Sequence, residues 1–360
     1  AIDTLPIGIA GKVSLWRNQH LAPGSAFAFH TVNLLYHLMA ALAVYGLARL
    51  MLHHRKTEVA ALAGGMLYAI HPLATESVHV MPGRGSLIAL LGAALAAMLF
   101  LYATNNGAKG LRYGALAISW LAFFAALLAD MTAIALPLVL LAIDWTRPPR
   151  TTRFNRWLVH GSYWLLALAA HWAISANVED GPRAISHDTT AAFRQAFTYL
   201  GYGLWPSGLT VWHAPLDAAG MPWIALGLSV VVLAMLLLLR TPLAAALLWV
   251  LAFGVSAAFT HGEGRFEEWT APLALAGVAL GFAWGANAAG RLGPAGLPIA
   301  AVLALLLAVA GVATYKRNYV WADATRLWQD AVDAAPEERR PHAEWAFVLH
   351  QRAERAWREA

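Results

Sequence analysis

Long apolar runs recur along this chain from Phe27 to Tyr315, broken only by short polar connections, and that recurrence limits the possible folds more than any single residue does. A helix that crosses a bilayer needs about 20 consecutive apolar residues. Inside lipid the backbone must satisfy its own hydrogen bonds, which a helix does within one segment. Runs near 27–52, 58–71, 85–104, 112–129, 131–146, 157–176, 222–239, 243–260, 269–288 and 296–315 predict about ten spans. The fourth and fifth are nearly continuous and require a tight turn at Asp130. Charged residues make up 12% of the chain, about half of the roughly 25% usual in soluble domains. The expected fold class is therefore an all-α polytopic membrane protein, divided into an external segment 1–26, a transmembrane domain 27–315 with an external amphipathic segment 177–221, and external helices over 316–360.

The connections sort by charge. Arg55, Lys56, Lys109, Arg112, Arg147, Arg150, Arg153, Arg156, Arg240 and Arg291 fall on one side, where acidic residues are scarce. The positive-inside rule makes that side cytoplasmic. The other side, periplasmic in a bacterial inner membrane, then holds both ends of the sequence. The net charge of +5 lies in these short connections, so it reports topology and not nucleic-acid binding. The absence of cysteine excludes disulfides and thiolate metal sites.

Ionisable groups at a membrane boundary are costly, so they mark candidate sites. The string His71-Pro72-Leu73-Ala74-Thr75-Glu76-Ser77-Val78, followed by Gly83-Arg84, stands between two apolar runs. Arg84 is the candidate partner of a lipid phosphate, since guanidinium and phosphate pair bidentately. Glu76, the catalytic candidate, could orient Arg84, accept a hydroxyl proton or help hold a divalent cation. His71 and His79 would donate hydrogen bonds. A structural Glu76–Arg84 ion pair in a proline-capped loop is the alternative. Asp130 opens the fifth span, and His261-Gly262-Glu263-Gly264-Arg265-Phe266-Glu267-Glu268 precedes the ninth, with Glu263 and Arg265 as candidate sugar or metal contacts. Local pairing in a solvated loop reads the second string equally well.

Three further patterns are simpler. His30, Asn33 and His37 share one helix face. They suit interhelical hydrogen bonding better than ligation of haem or a pigment, although His160 and His171 lie on another span. Residues 191–205 form an amphipathic, aromatic stretch expected at the membrane interface, and Trp212-His213 beyond it could stack on a sugar. After Lys316-Arg317, the residues Trp321, Leu327, Trp328, Trp345, Leu349 and Trp357 recur at helical spacing. They cannot bury their stripe within so short a tail, which points to docking of a protein partner at the external face.

Taken in order, these motifs resemble membrane glycosyltransferases of the protein O-mannosyltransferase type that carry tetratricopeptide repeats. The resemblance runs from Leu5 to Ala360 and rests on the His71–Arg84 string, on the segment from Asp130 through Pro137 to Asp144-Trp145, and on Glu263 and Arg265. It implies a GT-C-like bundle with a short tetratricopeptide-like tail. It also implies a polyprenyl-phosphate-linked sugar as donor and hexosyl transfer to a Ser or Thr hydroxyl of protein. The chain departs from the family at Ser86, where an acidic residue is usual, and at Asp130-Met131, where a Lys-Glu pair is usual. Those departures, and a tail of little more than one repeat, favour the alternative of a non-catalytic accessory subunit in a larger membrane complex.

Overall fold

The computed structural model describes residues 5, 8–52, 57–105, 109–147, 156–176, 189–213, 223–261 and 266–359, and among them it is all-helical. A helix α1 (Ile9–Leu21) precedes the long α2 (Ala26–Leu52) and the shorter α3 (Glu58–Ile70). A single 3-10 turn and the short α4 (Thr75–His79) lead into α5 (Gly83–Asn105), which returns as α6 (Lys109–Ala129). A 3-10 stretch and α7 (Leu136–Trp145) follow, then α8 (Arg156–Ala176), α9 (Thr189–Leu204), α10 (Trp223–Leu238), α11 (Pro242–His261) and α12 (Pro272–Arg291). The chain closes with α13 (Leu297–Trp321), α14 (Ala324–Ala334) and α15 (Arg339–Glu359).

Six of these helices, α2, α5, α6, α11, α12 and α13, are long and apolar enough to cross a membrane, and α3 and the 131–145 stretch are shorter apolar helices. The protein is a multi-pass membrane protein. Its outer surface carries exposed leucine, valine and aromatic side chains on α2, α6, α8 and α13, as expected where lipid replaces water. The interior is built on small residues that bring backbones close. A Cβ at Gly92 would stand 2.7 Å from the Ala122 carbonyl oxygen, so glycine sets the α5–α6 contact, and a Cβ at Gly64 would stand 2.7 Å from that of Ala279 on α12.

Proline punctuates the helices. Pro137, Pro242, Pro272 and Pro298 sit in the first turns of α7, α11, α12 and α13, where the missing N–H costs nothing. The turn expected at Asp130 is present. Its Oδ1 accepts the Thr132 N–H at 2.9 Å and starts the 3-10 stretch. Two features differ from expectation. Helix α13 continues six residues past Tyr315, to Trp321, and carries Arg317 on a rigid element. The aromatic helix α9 does not simply float at an interface: Tyr199 is buried against Thr270, and a Cβ at Gly254 of α11 would stand 2.7 Å from the Ala196 Cα.

Candidate functional site

Proline fixes the local geometry of the site. Pro72 cannot continue α3, so the chain turns at His71, whose Nδ1 accepts the Leu73 N–H at 3.2 Å. That leaves Nε2–H to donate to the Gly203 carbonyl at 3.2 Å. Burial pushes the His71 imidazole down to about 4, the Gly203 bond opposing it, so the ring is neutral at physiological pH. Gly83 packs so closely on Ser77 that no side chain fits there, which presses the start of α5 onto α4.

From this junction the predicted residues among those described divide among three centres. The first surrounds Arg84, which is wholly buried. Its Nε donates to Asn33 Oδ1 at 2.6 Å. Its Nη2 donates to Asn18 Oδ1 and to the Phe29 carbonyl, each at 3.0 Å, and its Nη1 reaches the Ser14 carbonyl at 3.3 Å. The Phe29 ring lies 5.5 Å from the guanidinium carbon. The expected Glu76–Arg84 pair is not formed. Arg84 instead fastens α1 and α2 to α5 through neutral oxygens.

The second centre surrounds Asp130, which is buried where α6 ends, against α5 and α11. Its Oδ2 accepts the Ser86 hydroxyl at 2.7 Å, and its Oδ1 lies 2.9 Å from His261 Nε2. Burial opposes the charge, but His261, the Ser86 hydroxyl and the Thr132 N–H together hold the carboxyl down at about 2. Ser86 and Asp130, the two family departures, are thus hydrogen-bonded to each other.

The third centre surrounds Glu268, which is fully buried. Its carboxylate accepts the Thr210 N–H at 2.8 Å and Arg317 Nη2 at 3.2 Å, and lies 2.9 Å from His213 Nε2. Arg317 also donates to the Leu209 carbonyl at 2.7 Å and to Asp330 on α14 at 3.3 Å. Glu76 belongs here. Burial, followed by the neighbouring Glu268 charge, raises its carboxyl well above the ordinary 4.5 despite Arg317. The Glu76 carboxyl also accepts a backbone hydrogen bond from Glu268, which opposes that shift. Burial likewise lowers the His79 imidazole. His79 donates to the Thr75 carbonyl at 2.8 Å and stacks on Trp321 at 5.0 Å.

Below these centres lies an apolar cavity of about 290 Å³ between α3, α9, α11, α12 and α13. Leu67, Val250, Gly281, Phe282 and Leu306 line it, and His71 forms part of its wall. Among the described residues no group of three or more His, Asp or Glu could hold a metal ion. Glu263 and Arg265 lie outside the described residues. Asn33 and His37 make interhelical bonds, to the Val78 and Val80 carbonyls and to the Ala69 carbonyl. In the tail, Trp321 is turned toward His79 and Arg317, Leu327, Trp328 and Trp345 are half-buried, and Leu349 and Trp357 are exposed.

Sequence reasoning underrated Glu268 and Arg317. Glu268 reads as one of several carboxylates in a loop, and Arg317 as a cation leaving the last span. The available signal was that an Arg just beyond a span and a Glu just before another fall on the same side of the membrane.

The chain is similar to Protein O-mannosyl-transferase F38B6.6 of Caenorhabditis elegans, with 32% identity over 75 residues, 21% of this chain and 11% of the relative. The matched stretch thus spans about a tenth of that relative's length. No family profile and no solved structure matches the chain. The likeness supports a glycosyltransferase-like membrane protein.

Proposed function

We infer that this chain is a GT-C-like glycosyltransferase homologue of about ten spans that binds a sugar carried on a polyprenyl phosphate at the outer end of the bundle. The supporting observation is the apolar cavity, which meets the polar layer at His71. Lipid-binding sites combine an apolar body with a few polar groups at one end. The reading places the prenyl chain along the part lined by Phe282 and Leu306, with the head group toward the polar layer beyond His71. The positive connections orient the opposite end toward the cytoplasm, so both ends of the chain are external. The reading assigns donor binding and no catalytic residue: Glu76, the catalytic candidate, sits with Glu268 and Arg317 and does not line the cavity.

A second reading, a non-catalytic accessory subunit, is favoured by Arg84, whose hydrogen bonds are taken by Asn18, Asn33 and two carbonyls. An arginine so enclosed serves the fold and leaves no fork for phosphate. The tetratricopeptide-like tail would then present Leu349 and Trp357 to a protein partner.

One experiment separates the two. Gly285 lines the cavity, and a Cβ there would meet only Leu303, at 4.0 Å. Gly285→Leu should fill the cavity without displacing backbone. Labelling of the purified protein by a photoactivatable polyprenyl phosphate is expected to fall several-fold in this variant. Equal labelling removes the donor-binding reading. Loss of a copurifying protein on deleting residues 323–360, with labelling absent from the start, supports the accessory role.

A further inference from the structure

Helix α13 is attached to the bundle unevenly. Of its 25 residues only Ala310 and Arg317 are buried. Its outer end is fastened by polar side chains. Thr314 Oγ1 donates to the Ile70 carbonyl at 2.6 Å, Arg317 donates to the Leu209 carbonyl at 2.7 Å and to Glu268 at 3.2 Å, and Trp321 stacks on His79. The inner part has no such ties. Residues 297–310 carry no polar side chain, and Leu297, Ile299, Val302, Leu305 and Val309 are exposed. The glycines facing each contact show the same contrast. A Cβ at Gly277 of α12 would stand 2.7 Å from Val250 Cγ2 of α11, and a Cβ at Gly64 of α3 would stand 2.7 Å from the Ala279 carbonyl oxygen of α12. Toward α13 nothing interlocks: a Cβ at Gly285 would meet only Leu303, at 4.0 Å. Backbones meshed closely hold their register, whereas ordinary contact between apolar side chains gives little net hold where lipid is as apolar as leucine.

We propose that α13 is the movable outer wall of the apolar cavity and turns about its fastened outer end to admit the hydrocarbon chain of a membrane lipid directly from the bilayer. This deepens the donor-binding reading and rests on it for the identity of that lipid. The loosely held stretch is the one that closes the cavity. Leu303, Leu306, Val309 and Ala310 supply its α13 wall, while Val302 and Leu305, on the same turns, are exposed. One helix thickness therefore separates the cavity from lipid. The facing walls are fixed. Helices α11 and α12 mesh at Gly277, and Trp249 Nε1 donates across them to the Leu273 carbonyl at 2.7 Å. Helix α9 is pressed on α11 at Gly254 and on α12 at Gly203. The inner end of α13 returns to α12 through a single 3-10 turn, Gly293–Gly296, in which Gly293 holds a φ of 57°. That region suits a residue without Cβ, and a few such positions between elements absorb the backbone change of a hinge.

The test uses the full chain in detergent, with circular dichroism and gel filtration to check folding. The sequence has no cysteine, so introduced pairs react alone. Spin labels on Leu121→Cys with Ile299→Cys follow the inner part of α13, and labels on Leu121→Cys with Tyr319→Cys follow its fastened end; all three sites are exposed. Double electron–electron resonance should give a distance distribution several ångströms broader for the inner pair. Equally narrow distributions overturn the moving wall whatever the ligand. A second measurement addresses entry. Gly285→Cys with Leu303→Cys, bridged by a short bis-methanethiosulfonate, pins the inner part. Ile70→Cys with Gly311→Cys, where a Cβ at 311 would stand 3.9 Å from Ile70 Cδ1, pins the part already held. Labelling by the photoactivatable polyprenyl phosphate should fall several-fold in the first bridged protein, return on reduction, and stay unchanged in the second. Capping the first pair with methyl methanethiosulfonate, which occupies the same space without a bridge, should leave labelling largely intact. Equal labelling in both bridged proteins, or equal loss on capping, overturns entry past α13. No labelling of the unbridged protein removes the donor-binding reading, and the resonance experiment still decides whether the wall moves.

Discussion

Two arginines, Arg84 and Arg317, are buried at the same end of this bundle and are compensated in opposite ways. Arg84 is held by two asparagine oxygens and two backbone carbonyls. Arg317 is held by the carboxylates of Glu268 and Asp330 and by the Leu209 carbonyl. The neutral shell joins parts of the membrane domain to each other: α1, α2 and α5. The ionic shell joins different layers: the 3-10 turn before α12, the connection after α9, the end of α13, and α14 of the tail. A neutral shell fails locally when the cation is removed. An ionic shell leaves a stranded charge behind, so it fails harder and responds to a second substitution.

The largest effect should follow Arg317→Ala. It leaves Glu268 buried without its cation, a loss of about 3–5 kcal/mol, read as a lowered unfolding midpoint in detergent. Adding Glu268→Gln should recover part of that loss, as coupled neighbours do. Independent, additive losses would end the comparison. Arg84→Met should cost less, roughly 2–3 kcal/mol, since it leaves neutral oxygens without donors and no uncompensated charge. It should also expose α1 to limited proteolysis. If Arg84→Met proves the more damaging of the two, the neutral shell carries more of the fold than the ionic one.

A pH profile sharpens the contrast further. The Glu76 carboxyl lies well above its ordinary 4.5 in the folded state. Above 4.5 the unfolded chain therefore releases a proton that the folded chain keeps. Stability must fall as pH rises from 4.5 toward the folded value. Glu76→Gln should flatten that decline above pH 4.5 while leaving the Arg84 shell unaffected. A parent protein with no such decline would contradict the burial of Glu76. The smallest effect belongs to Arg49→Ala. Its bond to Glu58 is 2.9 Å long but exposed on both sides, so the loss should stay below about 1 kcal/mol.

Much of the helical framework is legible without coordinates. The predicted runs near 85–104, 243–260 and 269–288 correspond to α5, α11 and α12, because a bilayer imposes length and apolarity on any helix that crosses it. The break at Asp130 is also legible, since a carboxylate between two apolar runs has to cap a turn. The site is less legible. His71, Glu76, Arg84 and Asp130 stand out as polar groups among apolar ones, yet their shared exterior position suggests one pocket where the fold makes three centres. Asn18 and Ser14, which hold Arg84, belong to a short helix of low hydrophobicity that reads as an ordinary external segment.

The sequence alone determined that this protein is a bundle of membrane-crossing helices with polar groups collected at their ends, because apolar length and the cost of buried charge are properties of the residues themselves. Only the tertiary structure decided which partner each charge takes. Arg84 meets asparagines 66 and 51 residues away, and Arg317 meets a glutamate 49 residues away. Such pairings depend on which helices pack side by side. That packing is governed by small residues such as Gly64 and Gly92, where backbones approach too closely for any side chain.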